Sequence, residues 1–171
     1  MDQQHRVPIG PLLLAFAIIV ADQASKAIVM AYVTPGTIAF SAFGDFFWIV
    51  RQQNLGMAFS LLDNLDGTTR AWILIALPMV LVAAVLAYYF KGRDLSSLQR
   101  WALAGIAGGG FGNIIDRILR KDGVVDFLSF KFYGIFGYDR WPTFNIADSA
   151  VVVCTLLFLI STIIADLRRN Q

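Results

Sequence analysis

The 171 residues carry 14 Lys and Arg against 12 acidic residues, every one of them Asp, so the formal charge is only +2. Apolar residues make up 57% of the chain and charged ones 15%, against roughly 45–50% apolar in soluble domains. A charge this small and scattered, with no basic stripe interleaved with stacking aromatics, argues against a nucleic-acid surface. The single cysteine, Cys154, excludes an internal disulfide and a thiolate metal cluster.

The apolar residues gather into four blocks, at about 12–33, 71–90, 101–119 and 145–165. Each has about the 20 residues that a helix needs to cross roughly 30 Å of hydrocarbon. The expected fold class is therefore a polytopic α-helical membrane protein, one membrane domain over 1–171 with four transmembrane helices. The first block follows Arg6 and has a weak signal-peptide look, but it runs on through Asp22, Gln23, Ser25 and Lys26 into Ala27, Ile28, Val29 and Met30. That is a continuing helix with a polar stripe and without a clear small-x-small site at its end, so it is read as part of the mature protein.

The connection 34–70 is read as extracytoplasmic but not as a flexible loop. Ile38, Phe40 and Ala42 alternate with Ala39 and Ser41, and 46–50 is β-prone, so two or three short strands ending near Asn54 are expected. Pro78, inside the second block, removes one helical hydrogen bond and predicts a mild kink. The third block holds small-xxx-small pairs at Gly105/Gly109 and Gly108/Gly112, a pattern for close helix packing. The second connection, 120–144, has seven aromatics between Phe130 and Phe144, suited to a surface resting among lipid headgroups.

Four crossings put both termini on one side. Arg6, Lys91, Arg93, Arg100, Arg168 and Arg169 flank that side in short segments, while six basic residues opposite are diluted over the two long connections. Counts are equal, and density favours both termini in the cytoplasm.

Polar side chains at membrane depth are costly and tend to face a bundle interior or a cavity. Asp22 and Lys26 stand one turn apart in the favourable acid-before-base order, which suits an ion pair bracing the bundle. Asn113, Asp116 and Arg117 cluster at the end of the third block; Asn145 opens the fourth as a helix cap, with Asp148 three residues on. Asp126 lies in an apolar setting, Val124-Val125-Asp126-Phe127, in what reads as an exposed turn after the third helix. Asp126 and Asp148 can meet at similar depth, although spacing alone does not prove it. Two carboxylates sharing a small site keep one proton between them, which suits activation of water for attack on an amide. A metal site fits worse, since His5 is the only histidine. That count also excludes a Ser/His arrangement, and Ser25 beside Lys26 is a poor Ser-Lys pair because adjacent helix positions diverge.

These residues resemble one family. Asp22-Gln23-Ala24-Ser25-Lys26 is similar to the DQxSK stretch of lipoprotein signal peptidases, and Asn54-Leu55-Gly56-Met57-Ala58-Phe59-Ser60 to their NxGxAFS block. Gly112 to Arg117 resembles GNxxDR, Val124 to Phe127 resembles VVDF, and Phe144 to Ser149 resembles FNxADS. The resemblance implies catalytic aspartates at Asp126 and Asp148, site-lining polar residues at Asn54, Asn113, Arg117 and Asn145, and architectural roles for Asp22, Lys26 and Asp116. It implies four transmembrane helices with a small extracytoplasmic β-cradle formed by 34–70, a helix or loop closing over the site, and 130–144 at its entrance. The implied activity is an endopeptidase that cuts prolipoproteins before a diacylglyceryl-modified cysteine. It would work in the bacterial inner membrane near the outer face, as a monomer among lipid, with no cofactor, metal or nucleic acid.

Three rivals are weaker. A proton-coupled transporter using Asp22, Asp116, Asp126 and Asp148 predicts an inverted repeat that the sequence lacks. A scaffold subunit would not need Asp126 opposite another aspartate. A prepilin-type peptidase would carry GxGD, which is absent.

Overall fold

The structure is a computed structural model that describes residues 7–56 and 66–169. His5, Arg6 and the Met57 to Ser60 part of the second motif lie outside the described residues. Four long helices, α1 (Gly10–Tyr32), α2 (Gly67–Lys91), α3 (Ser97–Leu119) and α4 (Ile146–Arg169), lie over the four apolar blocks, each starting or ending a few residues beyond the range read from the sequence. Local chemistry sets these ends. Asp66 accepts hydrogen bonds from the Thr68 and Thr69 amides at the start of α2, and Ser96 with Gln99 closes a reciprocal capping box at the start of α3.

The bundle is inside-out relative to a soluble protein. Leu13, Phe16 and Ile28 of α1 and Val152, Leu156, Ile160 and Ile163 of α4 point outward and are exposed, whereas Asp22, Lys26, Asp116 and Asn145 are fully buried. Among the described residues α1, α2 and α4 are long and apolar enough to cross a membrane; α3 has the length without that apolarity. The reason is its position. α3 packs against each of the other three helices, so its neighbours are mostly protein rather than lipid, and it can carry glycines and polar groups.

The paired glycines of α3 face two of its neighbouring helices, α1 and α4. A Cβ on Gly108 would sit 2.7 Å from the Ala15 carbonyl oxygen, and one on Gly112 2.7 Å from Asp22 Oδ2, both on α1. On Gly105 and Gly109 it would collide with Cys154 and with the Ala147 carbonyl of α4. Gly108 and Gly109 thus let α1 and α4 approach to backbone contact, while Gly105 and Gly112 make room for side chains, Gly112 for both Asp22 of α1 and the Ala147 Cβ of α4.

At the end of the bundle where α1 and α3 finish and α2 and α4 begin lies a three-stranded antiparallel sheet in the order β1 (Ile38–Ala42), β2 (Phe47–Asn54), β3 (Val124–Phe130). The first connection supplies two strands, the second of them ending at Asn54. The third strand corrects the reading of Asp126 as part of an exposed turn: Val124 to Phe130 is a strand in which Asp126 pairs with Gln52 and is 1% exposed. Its β-branched and aromatic residues favour extension, and Gly123, at φ +85°, makes the sharp entry where a Cβ would meet the Asn54 backbone. The aromatic stretch that follows folds back on the sheet. Its strap bonds from the Phe132 amide to the Asp139 carbonyl (2.7 Å) and from the Trp141 amide to the Phe130 carbonyl (2.9 Å), with a short 3-10 turn at Ile135–Gly137.

Candidate active site

The first part of the site follows from spacing within α4. The Asn145 side-chain oxygen accepts from the Asp148 amide (2.9 Å) and Asp148 Oδ2 accepts from the Asn145 amide (3.2 Å), a reciprocal cap between positions three apart. Asp148 is thereby held at the third residue of the helix, pointing back over the first turn.

Asp126 arrives from the sheet. Its Oδ1 accepts from Asn145 Nδ2 at 2.7 Å and its Oδ2 from Asn54 Nδ2 at 3.0 Å, while Asp148 Oδ1 accepts from Asn113 Nδ2 at 2.7 Å. Asn145 therefore bonds both carboxylates, one through its side chain and one through its backbone. All four carboxylate oxygens receive a donor from a neutral amide, and among the described residues no cation bonds to either group. Burial raises Asp126 to about 6. The Asn54 and Asn145 hydrogen bonds oppose that rise, and the Asp148 charge adds to it.

A second cluster lies beside the first and is built differently. Lys26 Nζ stands 2.8 Å from Asp22 Oδ2, 2.9 Å from Asp116 Oδ2 and 3.0 Å from Asn113 Oδ1, with Lys26, Asp22 and Asp116 fully buried. Asp116 also pairs with Arg120 and accepts from Gln23 Nε2 at 2.9 Å. The expected Asp22–Lys26 pair is thus part of a larger network. Ser25 takes no part in it, bonding the Asp22 carbonyl of its own helix at 2.8 Å.

Arg117 is half-buried and close enough to Asp148, Asp126 and Asp116 for their charges to act on it. No hydrogen-bond partner is found for it among the described residues. It lines a small cavity of about 90 Å3 with Asn54, Leu55 and Leu74. A larger cavity of about 780 Å3 opens on the sheet side, where Asn54 and Asp126 meet Trp48, Arg140, Tyr138 and Trp141. Asp126 and Asn54 face this space; Asp148 does not line it.

Three contributors escaped the sequence reading. Arg120 stands four residues after Asp116, a spacing that signals the pair. Gln23 sits inside a motif but its reach to Gly112 and Asp116 is tertiary. Arg140 has no local signal: its guanidinium lies 3.5 Å over the Trp48 ring and donates to Ser129 Oγ at 2.9 Å and to the Asp45 carbonyl at 2.9 Å, fixing the aromatic strap to the sheet. No group of His, Cys, Asp and Glu among the described residues forms a metal site.

A bundle of apolar helices holding buried carboxylates and amides at one end, beneath a small sheet, defines a helical membrane enzyme. Solved structures agree: a bacterial membrane enzyme determined by the in meso method at 1.9 Å resolution matches with TM-score 0.76 and 28% identity, covering 90% of this chain and 92% of that one. A second, at 2.3 Å, matches with TM-score 0.77 and 26% identity over 95% and 92%. The signal peptidase (SPase) II family model matches residues 14–164, and the chain belongs to that peptidase family. The lipoprotein signal peptidase of Treponema pallidum (strain Nichols) is 44% identical over 153 residues, 90% of this chain and 82% of the relative. That of Borrelia hermsii (strain HS1 / DAH) is 42% identical over 157 residues, 92% and 91%.

Proposed function

We propose that this chain removes the signal peptide from diacylglyceryl-modified prolipoproteins by cutting before the lipidated cysteine, with Asp126 and Asp148 as an aspartic dyad. The observation that carries the reading is the pair of carboxylates joined through Asn145, bonded among the described residues only by neutral amides, with Asp126 facing the sheet-side cavity. Without a contacting cation, both cannot ionise cheaply, so one proton is held by the pair and the two groups titrate together. The ionised member takes a proton from water as the water oxygen attacks the scissile carbonyl carbon. The protonated member then gives its proton to the leaving nitrogen as the C–N bond breaks. The two carboxyl groups make both proton transfers, and the amides only orient them, so the step as written calls for no cofactor or metal.

Asn54, Asn113 and Asn145 keep the carboxylates oriented, and Arg117, with its guanidinium uncommitted to hydrogen bonds among the described residues, takes a peptide carbonyl or the developing oxyanion. The large cavity receives the extended peptide. The four helices each cross the bilayer, α3 as the enclosed central one, with both termini in the cytoplasm and the sheet at the outer face of the bacterial inner membrane. A diacylglyceryl chain stays in that outer leaflet, so a dyad at the helix ends rather than at mid-membrane can reach the adjoining peptide bond. The dyad and the amides that orient it lie within one chain, so the reaction as proposed needs no group from a second copy, and the chain acts as a monomer.

The test is cleavage of a purified, diacylglyceryl-modified prolipoprotein in detergent, beside the unmodified precursor and with Asp126→Asn as control. Cleavage of the modified precursor only, lost in the variant, is expected; cleavage by Asp126→Asn would remove that residue from the dyad.

A further inference from the structure

Lys26 has three N–H donors, and all are used: on Asp22, on Asp116 and on Asn113. What those three partners do with their remaining capacity is symmetrical. Asp22 Oδ1 accepts the amide of Ala147 at 3.0 Å, the residue immediately before Asp148. Asp116 Oδ2 accepts the amide of Val125 at 3.2 Å, the residue immediately before Asp126. Asn113, fixed through its oxygen by Lys26, points its Nδ2 to Asp148. The ammonium of α1 is therefore one bond removed from a backbone anchor beside each dyad aspartate, although it touches neither carboxylate.

We infer that Lys26 is a positioning residue that holds the Val125–Asp126 strand and the Ala147–Asp148 helix start in mutual register, and that its charge helps set the dyad's protonation. The inference rests on the dyad reading above. An ion pair serving stability alone would need neither the two backbone amides nor the amide relay. Because Asp22, Asp116, Lys26 and Arg120 form a cluster of two negative and two positive groups, the ammonium can be removed without stranding a charge only if an acid is neutralised with it.

The titratable groups around Lys26 are Asp22 on its own helix, Asp116 on α3 with Arg120 paired to it, Asp126 on β3 and Asp148 on α4; Arg117 on α3 acts on the same aspartates. Its positive charge acts downward on Asp126, so its loss moves the titration of the pair to higher pH. The test uses full-length protein in detergent and measures melting temperature, kcat and the pH profile of prolipoprotein cleavage for Lys26→Met, Asp22→Asn/Lys26→Met and Lys26→Arg. The double variant keeps the cluster neutral and leaves an Asn oxygen for the Ala147 amide. It should melt close to wild type yet lose at least tenfold in kcat; the Asp22 charge it also removes opposes that of Lys26 at the dyad, so the upward shift of the pH profile, about one unit, is expected in Lys26→Met alone.

A folded double variant with wild-type kcat overturns the inference, as does a loss fully matched by the unfolded fraction with the Lys26→Met profile unmoved. If the double variant does not fold, Lys26→Arg decides. It keeps the charge but cannot place its donors on the same three atoms, so a fall in kcat is expected, and wild-type kcat overturns the positioning role. Failure of the dyad reading is separate: it would appear as activity in Asp126→Asn or Asp148→Asn, whatever the Lys26 variants do.

Discussion

Two pairs of aspartates sit close together in this molecule and are treated in opposite ways. Asp22 and Asp116 are clamped by Lys26, and Asp116 also by Arg120, so their charges are balanced where they stand. Among the described residues Asp126 and Asp148 receive only amide donors, from Asn54, Asn113, Asn145 and the Asn145 backbone. The difference teaches why the carboxyl type alone says little. Beside a contacting cation a buried carboxylate is a fixed charge suited to anchoring backbone; beside neutral amides, desolvation leaves its proton exchangeable near physiological pH.

The largest effect expected from this contrast is on turnover. Asp126→Asn and Asp148→Asn should each lower cleavage by about 10^3-fold or more while the protein stays folded, measured as single-turnover rates on the modified precursor with melting curves alongside. Next, Asp116→Ala should cost about 3–5 kcal/mol of stability, because it leaves Lys26 and Arg120 without a shared acid. A denaturation loss below 1 kcal/mol would show that the second pair is not a structural clamp.

A smaller effect has the opposite sign. Asp126 binds its proton up to about 6 in the fold against an ordinary value of 3.8. Its contribution to stability is thus complete below 3.8 and lost as pH rises through about 6. Asp126→Asn, which mimics the protonated form, should be more stable than wild type by about 1–3 kcal/mol at pH 7.5, with the gap closing below pH 4. Equal melting temperatures across that range would place the Asp126 titration elsewhere. In the same spirit, Asp148→Asn removes a neighbouring charge that pushes Asp126 upward, so the Asp126 carboxyl band in infrared titration should move down from about 6. The smallest effect lies away from both pairs: Asp66→Ala should cost about 1 kcal/mol through loss of the α2 cap.

Much of the polar chemistry was legible because it is local. Asp22 and Lys26 at i,i+4, and Asn145 and Asp148 at the start of a helix, follow from helix geometry once the apolar blocks are seen. Arg120 is equally legible by its spacing from Asp116, but it falls at the edge of a connection rather than inside an apolar block. The strand character of Val124 to Phe130 was present in its residue types but was masked by the short apolar motif around Asp126.

The apolar blocks by themselves determined where the helices lie, since a run of about 20 apolar residues has few other ways to hide its backbone from lipid. Residue types and order also determined the family resemblance and singled out the aspartates. Only the tertiary structure decided that α3 is the enclosed helix, that its glycines admit both α1 and α4, and that Asn145 bridges Asp126 and Asp148. Those facts join residues far apart in the chain: β3 meets α4 through Asn145, and Asp22 meets the Ala147 amide across 125 positions. Spacing along a helix or strand fixes which side chains share a face, but which face meets which neighbour depends on packing among elements, and that information is not written in any local stretch.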